Sequence, residues 1–75
     1  MYQSIQNTMN IILNNVPFQL PSVDTTVLDL LNSKGISHAG TAVSVNDKLV
    51  RHSEWDSSKL SEGDRVVIIS AAFGG

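Results

Sequence analysis

The residue types that carry out chemistry are sparse in this chain, and their spacing does not assemble a catalytic site. There is no Cys, hence no thiolate nucleophile, no disulfide framework and no cysteine-based zinc site. The two histidines, His38 and His52, fall in loop-like sequence and read as exposed loop residues rather than ligands or catalysts. The serines are scattered, with no spaced His and Asp partners and none in a nucleophile elbow. Gly40 and Gly63 stand alone, so no glycine-rich phosphate loop opens a helix. Glu54, Asp56, Glu62 and Asp64 occupy a turn-rich stretch, where carboxylates cap turns and solvate the surface. Trp55, single among polar neighbours, reads as a satellite core residue rather than a ligand platform. The expectation is therefore no catalytic residue, no metal site and no bound cofactor, in a protein that is not itself an enzyme.

What remains is the terminal pair Gly74-Gly75. Two residues without side chains let a terminal carboxylate enter a narrow channel and adopt backbone angles closed to other residues. A carboxylate resists nucleophiles until one of its oxygens becomes a good leaving group. ATP supplies that by forming an acyl-adenylate, and because this chain shows no ATP site, a partner has to catalyse the step.

The elements that would carry this tail can be read in order. Residues 1–8 are polar and aperiodic and read as an N-terminal extension. Met9, Ile11 and Leu13 alternate with Asn10, Ile12 and Asn14 as a strand, Asn14-Asn15 suits the positive φ of a tight turn, and Val16, Phe18 and Leu20 alternate again. Pro17 cannot donate a ladder hydrogen bond, which puts this second strand at a sheet edge. The segment 26–35 reads as a helix of about two and a half turns. Its N-cap is Thr26 or Thr25, Asp29 faces the positive end of the dipole, and Val27, Leu30 and Leu31 form one apolar stripe. Lys34 and Gly35 are the stop signals.

Thr41–Val45 returns to period two, Asn46-Asp47 makes a second tight turn, and Lys48–Val50 is a short return strand. Residues 51–60 read as an irregular crossing pinned by Trp55 and Leu60, followed by a turn at Glu62-Gly63-Asp64. Four consecutive β-branched residues in Arg65–Ser70 predict a central strand buried on both faces. The architecture expected is α+β of the β-grasp kind: a mixed sheet of four or five strands with one helix across one face, over residues 9–70. Residues 71–75 follow as a flexible tail.

Composition narrows the functions. The 75 residues make one domain, 41% apolar, and 5 Lys+Arg against 7 Asp+Glu give a formal charge of −2. That balance argues against a nucleic-acid binder, which needs clustered positive charge. No run approaches the roughly 18 apolar residues of a membrane span. The first eight residues lack the basic and apolar regions of a signal peptide, so a cytoplasmic protein with no membrane partner is expected.

Taken in order, several pieces resemble the thiamine-biosynthesis sulfur carrier family (ThiS), which has a ubiquitin-like β-grasp fold. They are Met9-Asn10-Ile11-Ile12-Leu13-Asn14, Thr26-Val27-Leu28-Asp29-Leu30-Leu31, Ala42-Val43-Ser44-Val45-Asn46 with Leu49-Val50, the Trp55 segment, Glu62-Gly63-Asp64-Arg65-Val66, and terminal Gly74-Gly75. Two departures stand out. Family chains usually begin at the position of Met9, and after Val50 the family often has Pro-Arg where this chain has Arg51-His52.

The resemblance implies that a partner adenylating enzyme activates the Gly75 carboxylate with ATP and Mg²⁺. Sulfur from a persulfide, ultimately from a cysteine desulfurase, then gives a C-terminal thiocarboxylate, and thiazole synthase takes that sulfur into the thiazole of thiamine. In this reading Gly75 carries the chemistry and Gly74 permits threading, while Ala71, Ala72 and Phe73 line the tail's path into the partner. Phe73 docks on the partner surface, with packing into the core as its alternative. The small subunit of molybdopterin synthase, a ubiquitin-like protein modifier and a plain β-grasp interaction module are the competing readings.

Overall fold

The computed structural model describes residues 8–70. Its elements follow the expected order: β1 (Met9–Leu13), β2 (Val16–Leu20), α1 (Val27–Ser33), β3 (Thr41–Val45), β4 (Lys48–Val50), a short 3₁₀ turn (His52–Glu54) and β5 (Arg65–Ser70). The five strands form one mixed sheet in the order β2-β1-β5-β3-β4. β5 is central, parallel to β1 and antiparallel to β3, while β2 and β4 are the edges. Pro17 sits on the edge strand β2, opposite Ile12, as its missing N–H requires. This is a β-grasp sheet with a single α-helix among the described residues.

Both hairpins close through pairs of residues in the left-handed region. Asn14 and Asn15 have φ of 49° and 69°, and Asn46 and Asp47 have φ of 53° and 71°. Asn and Asp tolerate that region better than other non-glycine residues, and two such residues in succession match the right-handed twist of the strands they join.

The helix is shorter than the sequence pattern suggests and its N-terminus is capped from two directions. Thr26 is the N-cap: its Oγ1 accepts from Asp29 N at 3.1 Å, and its own N–H donates to Asp29 Oδ2 at 3.1 Å. The next two orphan donors are met by the irregular crossing, Val27 N–H by Ser58 O at 2.9 Å and Leu28 N–H by Trp55 O at 3.0 Å. The crossing is thus the helix's second cap as well as a connection. At the far end Gly35 N–H donates to Asn32 O at 3.1 Å and Ile36 N–H to Leu31 O at 3.0 Å. This paired ending needs a residue in the left-handed region, supplied by Gly35 at φ +68°.

The core lies between the helix and one sheet face. Val27, Leu30 and Leu31 from α1 meet Met9, Ile11 and Leu13 from β1, Leu20, Val43 and Val66, with Trp55 and Leu60 closing one side. Trp55 is buried, and its indole Nε1–H donates to Val50 O at 3.0 Å.

One expectation is corrected. β5 is central, but it is not buried on both faces: Val66 is fully buried, whereas Val67 and Ile69 are exposed by 38% and 63%. A helix of two turns covers one side of a sheet, and nothing among the described residues covers the other.

Candidate functional site

The candidate site is the exit end of β5 together with the sheet face it shares with β3 and β4. Ser70, the last residue before the expected tail, pairs with Thr41 in the middle of the sheet. The last described residue therefore lies on the central strand, which is paired on both sides along part of its length. The predicted site residues Ala71, Ala72, Phe73, Gly74 and Gly75 lie outside the described residues, as does most of the expected extension 1–8.

Beside that exit the open face of the sheet is apolar. Residues alternate across a strand, so Val67 and Ile69 share a face, as do Ala42 and Ser44. The register sets Leu49, Ser44 and Val67 in one row across β4, β3 and β5, and Ala42 beside Ile69 in the next. Leu49 is 70% exposed and Ile69 63%. Isolated exposed aliphatics need no explanation; two on β5 and one on β4, on the same face with β3 between them, make this face a candidate for partner contact. Reading the chain alone missed this face, because a β-branched run carries no marker of which side is covered. Leu49, at the centre of a three-residue edge strand, was the available signal: alternation puts it on the face opposite Val50.

The start of β5 is held by polar groups. Arg65 N–H donates to Asn46 Oδ1 at 2.9 Å, Asn46 Nδ2 donates to Asp64 Oδ1 at 2.9 Å, and the Arg65 guanidinium reaches Asp47 at 2.9 Å. Asp64 caps its turn, accepting from Ser61 N–H at 2.8 Å, whereas Glu62 accepts from Asn10 N–H of the strand β1 at 2.9 Å. His38 and His52 are exposed, in keeping with the loop assignment, but they are not free of the core. The His52 ring lies against Trp55 at 4.1 Å between centroids and the His38 ring meets it edge-on at 5.4 Å. His52 Nε2 is 2.8 Å from Thr41 O, which requires that nitrogen to carry its proton. Among the described residues no group of three or more His, Cys, Asp or Glu is placed to hold a metal ion. No described helix is long and apolar enough to cross a membrane.

Comparison with known proteins decides the family. The ThiS family model matches residues 11–75, most of the chain and through the terminal Gly-Gly. The chain belongs to the ThiS family. Among solved structures, the crystal structure of the thiamine biosynthesis protein ThiS from Geobacter metallireducens is similar, with a TM-score of 0.76 at 23% identity. The match covers 89% of this chain and 100% of that one. At that identity the likeness speaks for the fold, and it agrees with the β-grasp architecture of this ThiS-family chain. No curated protein matches.

Proposed function

We propose that this ThiS-family protein is a sulfur carrier of thiamine biosynthesis, a substrate of partner enzymes rather than an enzyme. The observation that carries the reading is the family match running through Gly75 on a fold whose central strand leads into that tail. A partner adenylating enzyme docks the apolar face formed by Leu49, Val67 and Ile69 and threads the tail, with Ala71, Ala72 and Phe73 along its path and Gly74 admitting the narrowest point.

There the Gly75 carboxylate attacks the α-phosphorus of Mg²⁺-bound ATP and pyrophosphate leaves. The terminal sulfur of a persulfide, supplied ultimately by a cysteine desulfurase, displaces AMP from the acyl carbon. A thiol then cleaves the sulfur–sulfur bond to leave the thiocarboxylate. Thiazole synthase accepts that sulfur. Held covalently, the sulfur stays nucleophilic without diffusing away as sulfide, and a chain with no Cys has no thiol to compete for the persulfide. The same reading puts the protein in the cytoplasm, where ATP is available.

The test is thiol-selective alkylation of the protein purified from its own host, read by intact mass and by the C-terminal peptide. Because Cys is absent, the expected product is a single alkyl group on Gly75. The peptide separates this from methionine oxidation, which mimics the mass gained when sulfur replaces oxygen. A Gly75 that stays unmodified after incubation with ATP, the cognate adenylating enzyme and a sulfur source refutes sulfur carriage. Recovery of the chain in isopeptide linkage to other proteins would instead establish a modifier.

A further inference from the structure

The exit of β5 is fastened by one side chain. β1 ends at Leu13, and its parallel ladder with β5 runs through Ile12 N–H to Asp64 O at 2.9 Å and Asn14 N–H to Val66 O at 2.8 Å. In a parallel ladder the next partner for Ile68 N–H is the backbone carbonyl of Asn14. That carbonyl is turned away, because Asn14 enters the left-handed region, φ 49°, to begin the hairpin turn. Its side-chain amide takes the place of the missing backbone. Oδ1 accepts from Ile68 N–H at 2.8 Å and Nδ2 donates to Ile68 O at 3.2 Å. The amide thus acts as one more peptide unit of β1 and lengthens the pairing of β5 toward its exit.

We infer that Asn14 is a positioning residue that sets the direction of β5 at its last residues, Ile68 to Ser70, ahead of the terminal Gly-Gly. Without the amide, both Ile68 backbone groups on that side lose their protein partners, and the last four residues of β5 are paired by β3 alone. A strand paired on one side pivots about its single ladder, and small displacements are amplified along the residues that follow. Delivery of a terminal carboxylate into a partner's reaction site is sensitive to such displacement. The inference rests on the sulfur-carrier reading for its kinetic consequence; the restraint on Ile68 stands without it.

Two glycine substitutions in one turn separate the clasp from the turn. Asn14→Gly keeps the positive φ and removes both amide bonds. Asn15→Gly changes the neighbouring turn residue, whose side chain makes no hydrogen bond among the described residues, and leaves the clasp intact. Amide hydrogen exchange at Ile68 is expected to accelerate by about tenfold relative to Val66 in Asn14→Gly and to stay at the wild-type ratio in Asn15→Gly. Asn14→Asp, which retains the acceptor but not the donor, should restore most of the Ile68 protection.

With the cognate adenylating enzyme, Asn14→Gly should lower kcat for adenylation by about tenfold while KM holds, since the docking face is unchanged. Equal Ile68 exchange in the two glycine variants, or equal kcat, overturns the positioning role. Should wild-type protein not be adenylated, the sulfur-carrier reading fails and the role of Asn14 is decided by the exchange data alone. Should Asn14→Gly not fold, Asn14→Ser, which also lacks both amide bonds, gives the same comparison of Ile68 and kcat against Asn15→Gly.

Discussion

β5 has two faces made from the same kinds of residue, and they serve different ends. Val66 is fully buried under α1, whereas Ile69, three residues further, is 63% exposed on the other side of the sheet. The side chains are of one chemical class and the backbone is one continuous strand. What separates them is that one helix, two turns long, packs on one side and nothing described packs on the other. Apolar surface under the helix stabilises the fold; apolar surface opposite it is available to a partner. Residue type alone does not assign a function, and the same β-branched run divides between core and open surface.

The comparison is broken most severely from the helix side. Leu30→Ala removes a fully buried side chain and should cost about 2–5 kcal/mol in urea unfolding, a large fraction of the stability of so small a domain. Val66→Ala, on the covered face of β5, should cost about 2 kcal/mol by the same measurement.

Ile69→Thr keeps the β-branching on the open face, so unfolding should stay within ~0.5 kcal/mol of wild type. Affinity for the adenylating enzyme, measured by calorimetric titration, should fall by about tenfold. An unfolding loss as large as that of Val66→Ala, or an unchanged affinity, would erase the distinction between the faces.

Thr26→Ala tests how the covering helix is held. It removes one of the cap bonds while Ser58 O and Trp55 O still accept from Val27 and Leu28, and it should cost about 1 kcal/mol in thermal unfolding. The smallest effect is expected for Asp47→Asn. It removes the exposed ion pair to Arg65 at a position where Asn tolerates the positive φ, and should cost less than about 0.5 kcal/mol, diminishing further with added salt.

Much of the fold was legible because local chemistry and tertiary packing agree. The alternation of Met9, Ile11 and Leu13 marks their buried face, Pro17 marks an edge, and Asn14-Asn15 and Asn46-Asp47 mark the turns. Thr26 and Gly35 bound the helix, although a run to Lys34 overstates it by the residue that closes its C-terminus. Family membership was legible in the ordered motifs and in Gly74-Gly75.

The role of the crossing segment as a second helix cap was not legible. Backbone carbonyls such as Ser58 O and Trp55 O carry no sequence signature, and any residue type offers one. The Asn14 clasp was hidden for a related reason. The turn explains Asn at that position by itself, and only the placement of Ile68 beside it reveals that its amide is also bonded.

By itself the sequence determined the order and type of the elements, the single helix, the hairpin turns and the family. Each of these depends on neighbours within a few residues, through periodicity, backbone angles and capping. Tertiary structure alone decided which side of β5 is core and which is left open, and how its exit is held. Those are properties of pairing across 52 to 54 residues of chain, as in Asn10 with Glu62 and Asn14 with Ile68. A contact of that range is set by how sheet and helix share the apolar surface available, which no local pattern encodes.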